Sequence, residues 1–313
     1  MSGLLNLQAP DTVVMVRPHY FSSNPQTQND NGFQHHRPDA ASKDEIAITA
    51  EAEVTEAAER LQQAGVDVLL FEDTTRQTPD SVFPNNWFST HHDGSLIVYP
   101  MYASNRRLEY RSDILDTLSH RYAISSVTDL RKHASQSHYL EGTGSIVFDH
   151  LNKLAFAARS KRTSDKLLRK VCQQLGYCPI LFDAFDIHGA PVYHTNVLMS
   201  IGTEYVMICM DMVAPVDRPR LTALFNETGK QLIVLSEQQI YRFCGNTIEL
   251  TGHKRLLALS STAADALTRQ QLECLASSVD LLPLSVPTIE LAGGSVRCML
   301  AGVHLPLSHA RVA

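Results

Sequence analysis

Three residues suited to nucleophilic cysteine chemistry stand far apart in this chain: Cys298 in GGSVRCML, His194 in YHTN and Glu141 in LEGTGS. In such chemistry a thiolate attacks an electrophilic carbon, a histidine moves protons, and a third group orients the imidazole. A thiol is mostly protonated at neutral pH, so a nearby imidazolium or a cationic substrate must raise its thiolate fraction. Gly293 and Gly294 ahead of Cys298 let other backbone or a ligand approach closely. Amides accompany the three: Asn85 and Asn86 in FPNNWF, Asn196 two residues after His194, and Asn246 in FCGN. Each has an ordinary reading alone. Glu141 could satisfy the backbone of a glycine turn, His194 could be a polar strand end, and an asparagine pair after proline makes turns. The question is whether the fold brings them together.

The elements that must position them recur in order. Apolar spacing predicts helices over Lys43–Ala64, Thr163–Leu175 and Pro215–Thr228, each followed by a glycine. A fourth runs over Ala263–Ser277 after SST, a capping run, and Asn105–His120 is a further candidate. Short β-branched or apolar runs lie between them. Together they form a unit of strand, strand, helix, strand, repeated over Phe83–Leu130, Leu140–Asp183, Tyr193–Ser236 and Cys244–Ser285. A fifth starts at GGSVRCMLAGVHLP and is completed by Val13–Val16, the Lys43–Ala64 helix and VDVLLFE. Five such units closed by the N-terminus imply a ring. Their opening residues, the amides and the three catalytic candidates, should then meet near the axis.

Composition excludes other classes. The 27 basic against 33 acidic residues give a net charge of −6, which argues against nucleic-acid or anionic-membrane partners. The N-terminal MSGLLNLQAPD lacks the pattern of a signal peptide, and no apolar run is long enough to span a membrane. A cytoplasmic protein binding a small molecule is expected. The six cysteines have neither zinc nor disulfide spacing. Five read as buried small hydrophobes, with Cys298 the exception. His35-His36 and His91-His92 have no third ligand at suitable spacing, so neither metal nor cofactor is expected.

Val16-Arg17-Pro18, Glu141-Gly142, His194-Thr195-Asn196 and Gly293-Gly294 leading to Cys298 resemble, in order and over essentially the whole chain, the guanidine-modifying superfamily. That superfamily includes arginine deiminases, dimethylarginine hydrolases and amidinotransferases. The resemblance implies a single domain over residues 1–313, a five-fold pseudosymmetric α/β propeller (pentein) of ββαβ units. It also implies Cys298 as nucleophile, His194 as general acid/base and Glu141 as its partner.

The departures bear on substrate. Arginine deiminases have aspartates where this chain has Asn86 and Asn196, and carboxylates suit a guanidinium. An asparagine can accept from N–H and also donate to a carbonyl, which matches a neutral ureido group. Together with the loop FSSNPQTQNDNGFQ, the amides resemble the citrulline-utilisation hydrolase branch. This implies conversion of citrulline to ornithine, ammonia and carbon dioxide. An arginine deiminase or other guanidine hydrolase, an amidinotransferase and a catalytically silent binding propeller remain alternatives, as do monomer and homodimer. The non-periodic loop over residues 20–42 is expected to be a lid or substrate contact, with Asn24 and Phe33 as contacts and Asn85 beside Asn86. For a substrate α-carboxylate, Arg106 and Arg107 are the first candidates, Arg17 and Arg297 the alternatives.

Overall fold

The structure, a computed structural model, describes residues 7–34 and 42–308. His35-His36 and the second part of the 20–42 loop lie outside the described residues. The strands are β1 (Thr12–Pro18), β2 (Asp67–Asp73), β3 (Phe88–Thr90), β4 (Ser95–Val98), β5 (Ser126–Asp129), β6 (Val147–Asp149), β7 (Leu154–Ala158) and β8 (Cys178–Phe182). They continue as β9 (Met199–Ile201), β10 (Tyr205–Ile208), β11 (Gln231–Val234), β12 (Ile248–Thr251), β13 (Arg255–Ser260), β14 (Asp280–Leu284) and β15 (Ala301–Val303). They form five separate three-stranded sheets: β3-β4-β5, β6-β7-β8, β9-β10-β11, β12-β13-β14 and β15-β1-β2. In each, the middle strand pairs antiparallel with the first and parallel with the third. The last sheet draws on both ends of the chain, because β15 pairs with β1 (Val13 opposite Gly302). The expected five-unit α/β propeller is therefore what the chain forms, as a set of separate sheets and not one continuous barrel.

The parallel pair in each sheet needs a crossover, and a helix supplies it. These helices run over Lys43–Gln63, Ser112–Arg121, Asp165–Leu175, Arg218–Glu227 and Arg269–Ala276. Asp165–Leu175 shows why they form. Ser164 caps its N-terminus, Gly176 ends it at φ +72°, and Leu167, Leu168, Val171, Cys172 and Leu175 make one buried face. That face joins Ile97, Tyr99, Ile146 and Ala155 in one apolar cluster.

Three helix expectations need correction. Ala263–Ser277 divides into Ser261–Ala264 and Arg269–Ala276, because Thr268 and Gln271 form a capping box that starts a second helix. Asn105–His120 divides into a 3-10 turn, Asn105–Glu109, and the helix Ser112–Arg121, with Tyr110 at non-helical ψ 126° between them. The Pro215–Thr228 helix starts later, at Arg218, with a proline in its first turn where no N–H is needed.

Cys172, Cys209 and Cys244 are buried as expected, and burial pushes the Cys172 and Cys244 thiols up to about 12. Cys178 is exposed and Cys274 only half-buried, contrary to the expectation for both. Among the described residues no helix is long and apolar enough to cross a membrane.

Candidate active site

The asparagine pair and the three catalytic candidates each sit on or beside a single helical turn that precedes the first strand of a sheet, not on the strand itself. Asn85 and Asn86 end the turn Pro84–Asn86 before β3, and Glu141 caps Gly142–Ser145 before β6. His194 caps Thr195–Leu198 before β9, and Cys298 lies in Val296–Met299 before β15. These turns pack against one another closely enough to dictate glycine. Gly142 adopts φ +46°, and a Cβ there would lie 2.5 Å from the Asn85 carbonyl oxygen. A Cβ on Gly144 would press into Asn86 Nδ2 and come within 2.7 Å of the His194 ring. The glycines of LEGTGS thus let the FPNNW turn and the histidine meet.

Asn86, His194 and Cys298 line one cavity of about 260 Å³ together with Asp80, Arg106 and Arg162. Cys298 is 2% exposed. Its sulfur accepts the amide N–H of Asn196 at 3.4 Å and of Asn246 at 3.2 Å. Asn246 is fixed from its other end, where its oxygen accepts the backbone N–H of Ser295 at 3.1 Å. Two side-chain amides are thus aimed at one sulfur.

His194 Nε2 meets Glu141 Oε2 at 2.7 Å. A carboxylate accepts, so Nε2 carries the proton of the neutral ring and Nδ1 keeps the lone pair. Burial opposes ionisation of Glu141, but the Arg162 guanidinium and the His194 contact outweigh it and hold the carboxyl well below the usual range. Burial also pushes the His194 imidazole down to about 4, against the raising effect of Glu141. At rest the pair is therefore a carboxylate and a neutral imidazole.

The amides are oriented by their neighbours. Arg106 donates through Nη1 to Asn86 Oδ1 at 2.9 Å. A guanidinium has only donors, so the oxygen of Asn86 must face it, and Asn86 Nδ2 is left buried without a partner. Asn196 is oriented in the opposite sense: its nitrogen is on Cys298 and its Oδ1 is buried without a partner. One amide thus has a free donor and the other a free acceptor. The side chain of Asn85 is buried with neither atom partnered, and its carbonyl accepts from Thr143 Oγ1 at 3.1 Å. Neither Asn85 nor Asn196 lines the cavity; of the asparagine candidates only Asn86 does.

The arginines are placed otherwise than the carboxylate-binding expectation requires. Arg106 lines the cavity, but its fork is taken by Glu109 at 2.8 and 2.9 Å and by Asn86. Arg107 donates to the backbone carbonyls of Met101 and Tyr102, and Arg17 pairs with Glu72. Arg297 faces a different cavity. None presents a free bidentate face to the Cys298 cavity.

Loop residues 20–34 pack over this site. Asn24 lies behind the cavity wall, where its amide donates to Asp80 Oδ2 at 2.8 Å. Phe33 is buried against Tyr193, Tyr241 and Phe243. The loop residues that do line the cavity are Thr27 and Asn31, while Asp30 clamps Arg162 bidentately at 2.6 and 3.0 Å.

Three contributors were missed in the sequence. Asp80 lines the cavity with Oδ1 buried and unpartnered, its carboxyl raised by burial against the lowering effect of Arg106. Arg162 links the loop to Glu141. Tyr193 donates to the Gly293 carbonyl at 2.5 Å, tying the histidine turn to the segment leading into Cys298. Asp80 in TPDSVFP reads as a turn residue, and its position three residues before Phe83 was the only available signal.

The family model described as N,N dimethylarginine dimethylhydrolase, eukaryotic, matches residues 17–305. No curated protein matches the chain in sequence. Among solved structures, the N-terminal domain of ArgZ, a cyanobacterial arginine dihydrolase, bound to substrate, superposes with TM-score 0.74 at 15% identity, covering 94% of this chain and 98% of that one. AgrE with L-arginine gives 0.71 at 15% identity, covering 95% of this chain but 41% of the longer AgrE. Dimethylarginine dimethylhydrolase from Pseudomonas aeruginosa with citrulline gives 0.64 at 14% identity, covering 93% and 98%. At such identities the structures establish a shared fold, the pentein of the guanidine-modifying superfamily.

Proposed function

The chain belongs to the N,N-dimethylarginine dimethylhydrolase family, and on that premise we propose that it is a cysteine hydrolase of a ureido-bearing amino acid, with citrulline as the substrate. The observation that carries this reading is the pair of oppositely oriented amides. Asn86 is held by Arg106 with its N–H₂ unpartnered, and Asn196 is held by Cys298 with its oxygen unpartnered. A ureido group has a carbonyl acceptor for the Asn86 donor, which is the one of the two in the cavity wall, whereas a guanidinium has no acceptor. Leaving a buried donor unpaired costs about 1–3 kcal/mol, enough to discriminate between the two groups.

The chemistry follows from the resting protonation states. His194 takes the thiol proton of Cys298, and Glu141 stabilises the imidazolium that forms. The thiolate attacks the ureido carbon, forming a carbon–sulfur bond, while the carbonyl electron pair moves onto oxygen. When that oxygen re-forms its double bond, one carbon–nitrogen bond breaks and the departing nitrogen takes the proton from His194. The neutral ring then removes a proton from water, which displaces the sulfur. Loss of the second nitrogen from the resulting carbamate gives carbon dioxide, so that citrulline plus water yields ornithine, ammonia and carbon dioxide.

A second reading has its own observation. Asp80 presents an unpartnered buried oxygen to the same cavity, and a carboxylate suits a guanidinium. Arginine hydrolysis by the same residues is the runner-up. The shared mechanism is tested by ornithine release from citrulline in wild type and in Cys298→Ala. Release by wild type and loss in the variant is expected. Turnover surviving in the variant contradicts the cysteine mechanism.

A further inference from the structure

Cys298 and Arg297 are adjacent and face opposite ways. The sulfur lines the cavity described above, while the guanidinium lines a separate cavity of about 600 Å³. That second cavity has the hydroxyl-bearing Thr143, Ser200 and Thr247 in its wall, and the imidazoles of His150 and His304. Arg297 is half-buried and differs from the fully buried Arg106 and Arg162 in its partners. Arg106 is forked onto Glu109, and Arg162 onto Asp30. The only side-chain hydrogen bond of Arg297 among the described residues goes from Nη1 to the Leu300 carbonyl at 2.9 Å. Glu249, the acid in the same wall, is turned to Thr203, which donates to it at 2.6 and 2.9 Å. A half-buried cation with no acidic partner leaves a place in its cavity for an anion to compensate it.

We propose that this second cavity is a binding site for a small monovalent anion, held by the Arg297 guanidinium and the surrounding hydroxyls. Burial pushes Arg297 down only to about 10, so it remains a cation at neutral pH. Burial drives His91, His150 and His304 below the ordinary histidine range, so they add no competing charge. Arg297 is the chain neighbour of Cys298. An anion against it offsets the positive field behind the nucleophile, and its occupancy therefore slows reactions of the Cys298 sulfur.

Bromide serves as the probe. Crystals of the full chain soaked in sodium bromide are expected to show an anomalous peak beside the Arg297 guanidinium inside the cavity. A cavity holding only water under the same soak overturns the proposal, and this arm needs no variant. In solution, alkylation of Cys298 by iodoacetamide is followed by peptide mass spectrometry at constant ionic strength, with bromide replacing the bulkier gluconate. The rate is expected to fall severalfold in wild type, to fall in Arg297→Lys, and to be unaffected in Arg297→Met. Equal responses in wild type and Arg297→Met overturn the proposal. Because alkylation needs no substrate, its outcome is independent of whether citrulline or arginine is hydrolysed.

Discussion

At the scale of single residues, the proposed function assigns to Asn86 the distinction between a neutral and a cationic substrate. Its orientation is set by Arg106, which only donates, so the free end of the amide is a donor. Asn86→Asp keeps the oxygen that Arg106 needs and replaces the free donor with an acceptor. Its kcat/KM for citrulline is expected to fall by roughly 10- to 100-fold, the equivalent of about 1–3 kcal/mol for one mispaired buried group. Use of arginine relative to citrulline should rise, as measured by ornithine release from each. Glu141 has a different role: it holds His194 as one tautomer and stabilises its protonated form. Glu141→Gln should lower kcat by about 10²- to 10⁴-fold with a smaller change in KM. It leaves the amides that face the substrate in place.

At the scale of elements, the site depends on single helical turns from several units packing together. Gly144→Ala tests this. The added methyl cannot fit between Asn86 and the His194 ring without displacing one of them. Citrulline turnover should drop sharply while the urea midpoint moves little, because both displaced side chains border a cavity. A large loss of stability with normal activity in the remaining folded protein would contradict the packing described. Asp30 likewise secures loop residues 20–34 through Arg162, and Asp30→Ala should speed alkylation of Cys298. Much of this level was legible in the sequence. The order of strand, strand, helix and strand, together with Cys298, His194, Glu141 and the asparagines at equivalent places in different units, was enough to expect convergence. What was not legible was non-local. Arg162 lies in the polar run RSKRTS and reads as a solvated charge until Asp30 is brought across to it. Asp80 resembles any turn aspartate until Asn24 and Arg106 surround it. The division of Asn105–His120 places Arg106 on a tight turn, where it pairs with Glu109 and orients Asn86 instead of meeting a substrate carboxylate.

At the scale of the whole molecule, five sheets meeting end to end enclose many histidines. Burial pushes His91 down to about 3 and His194 to about 4, and drives His150 and His304 well below the ordinary value of 6.5. A folded-state value below the unfolded one means that the unfolded chain binds protons first as pH falls. The corresponding stability is present above about pH 6.5 and is lost on acidification towards the folded values. Glu53, Asp80, Glu290 and Glu109, the last pushed up to about 8, are raised by burial and have the opposite sign, so the slope for one histidine is read by difference. The urea midpoint should fall from about pH 7.5 to about pH 5, and less steeply in His150→Gln. An identical slope in that variant would remove His150 from the account. The same enclosure sets the proposed selection, in which the free Asn86 donor in the cavity wall favours a neutral group over a charged one. The most direct test is kcat/KM for citrulline and for arginine on the same wild-type preparation, with ornithine and ammonia measured from each. The account predicts a clear preference for citrulline. Efficient hydrolysis of arginine with citrulline left intact would contradict it.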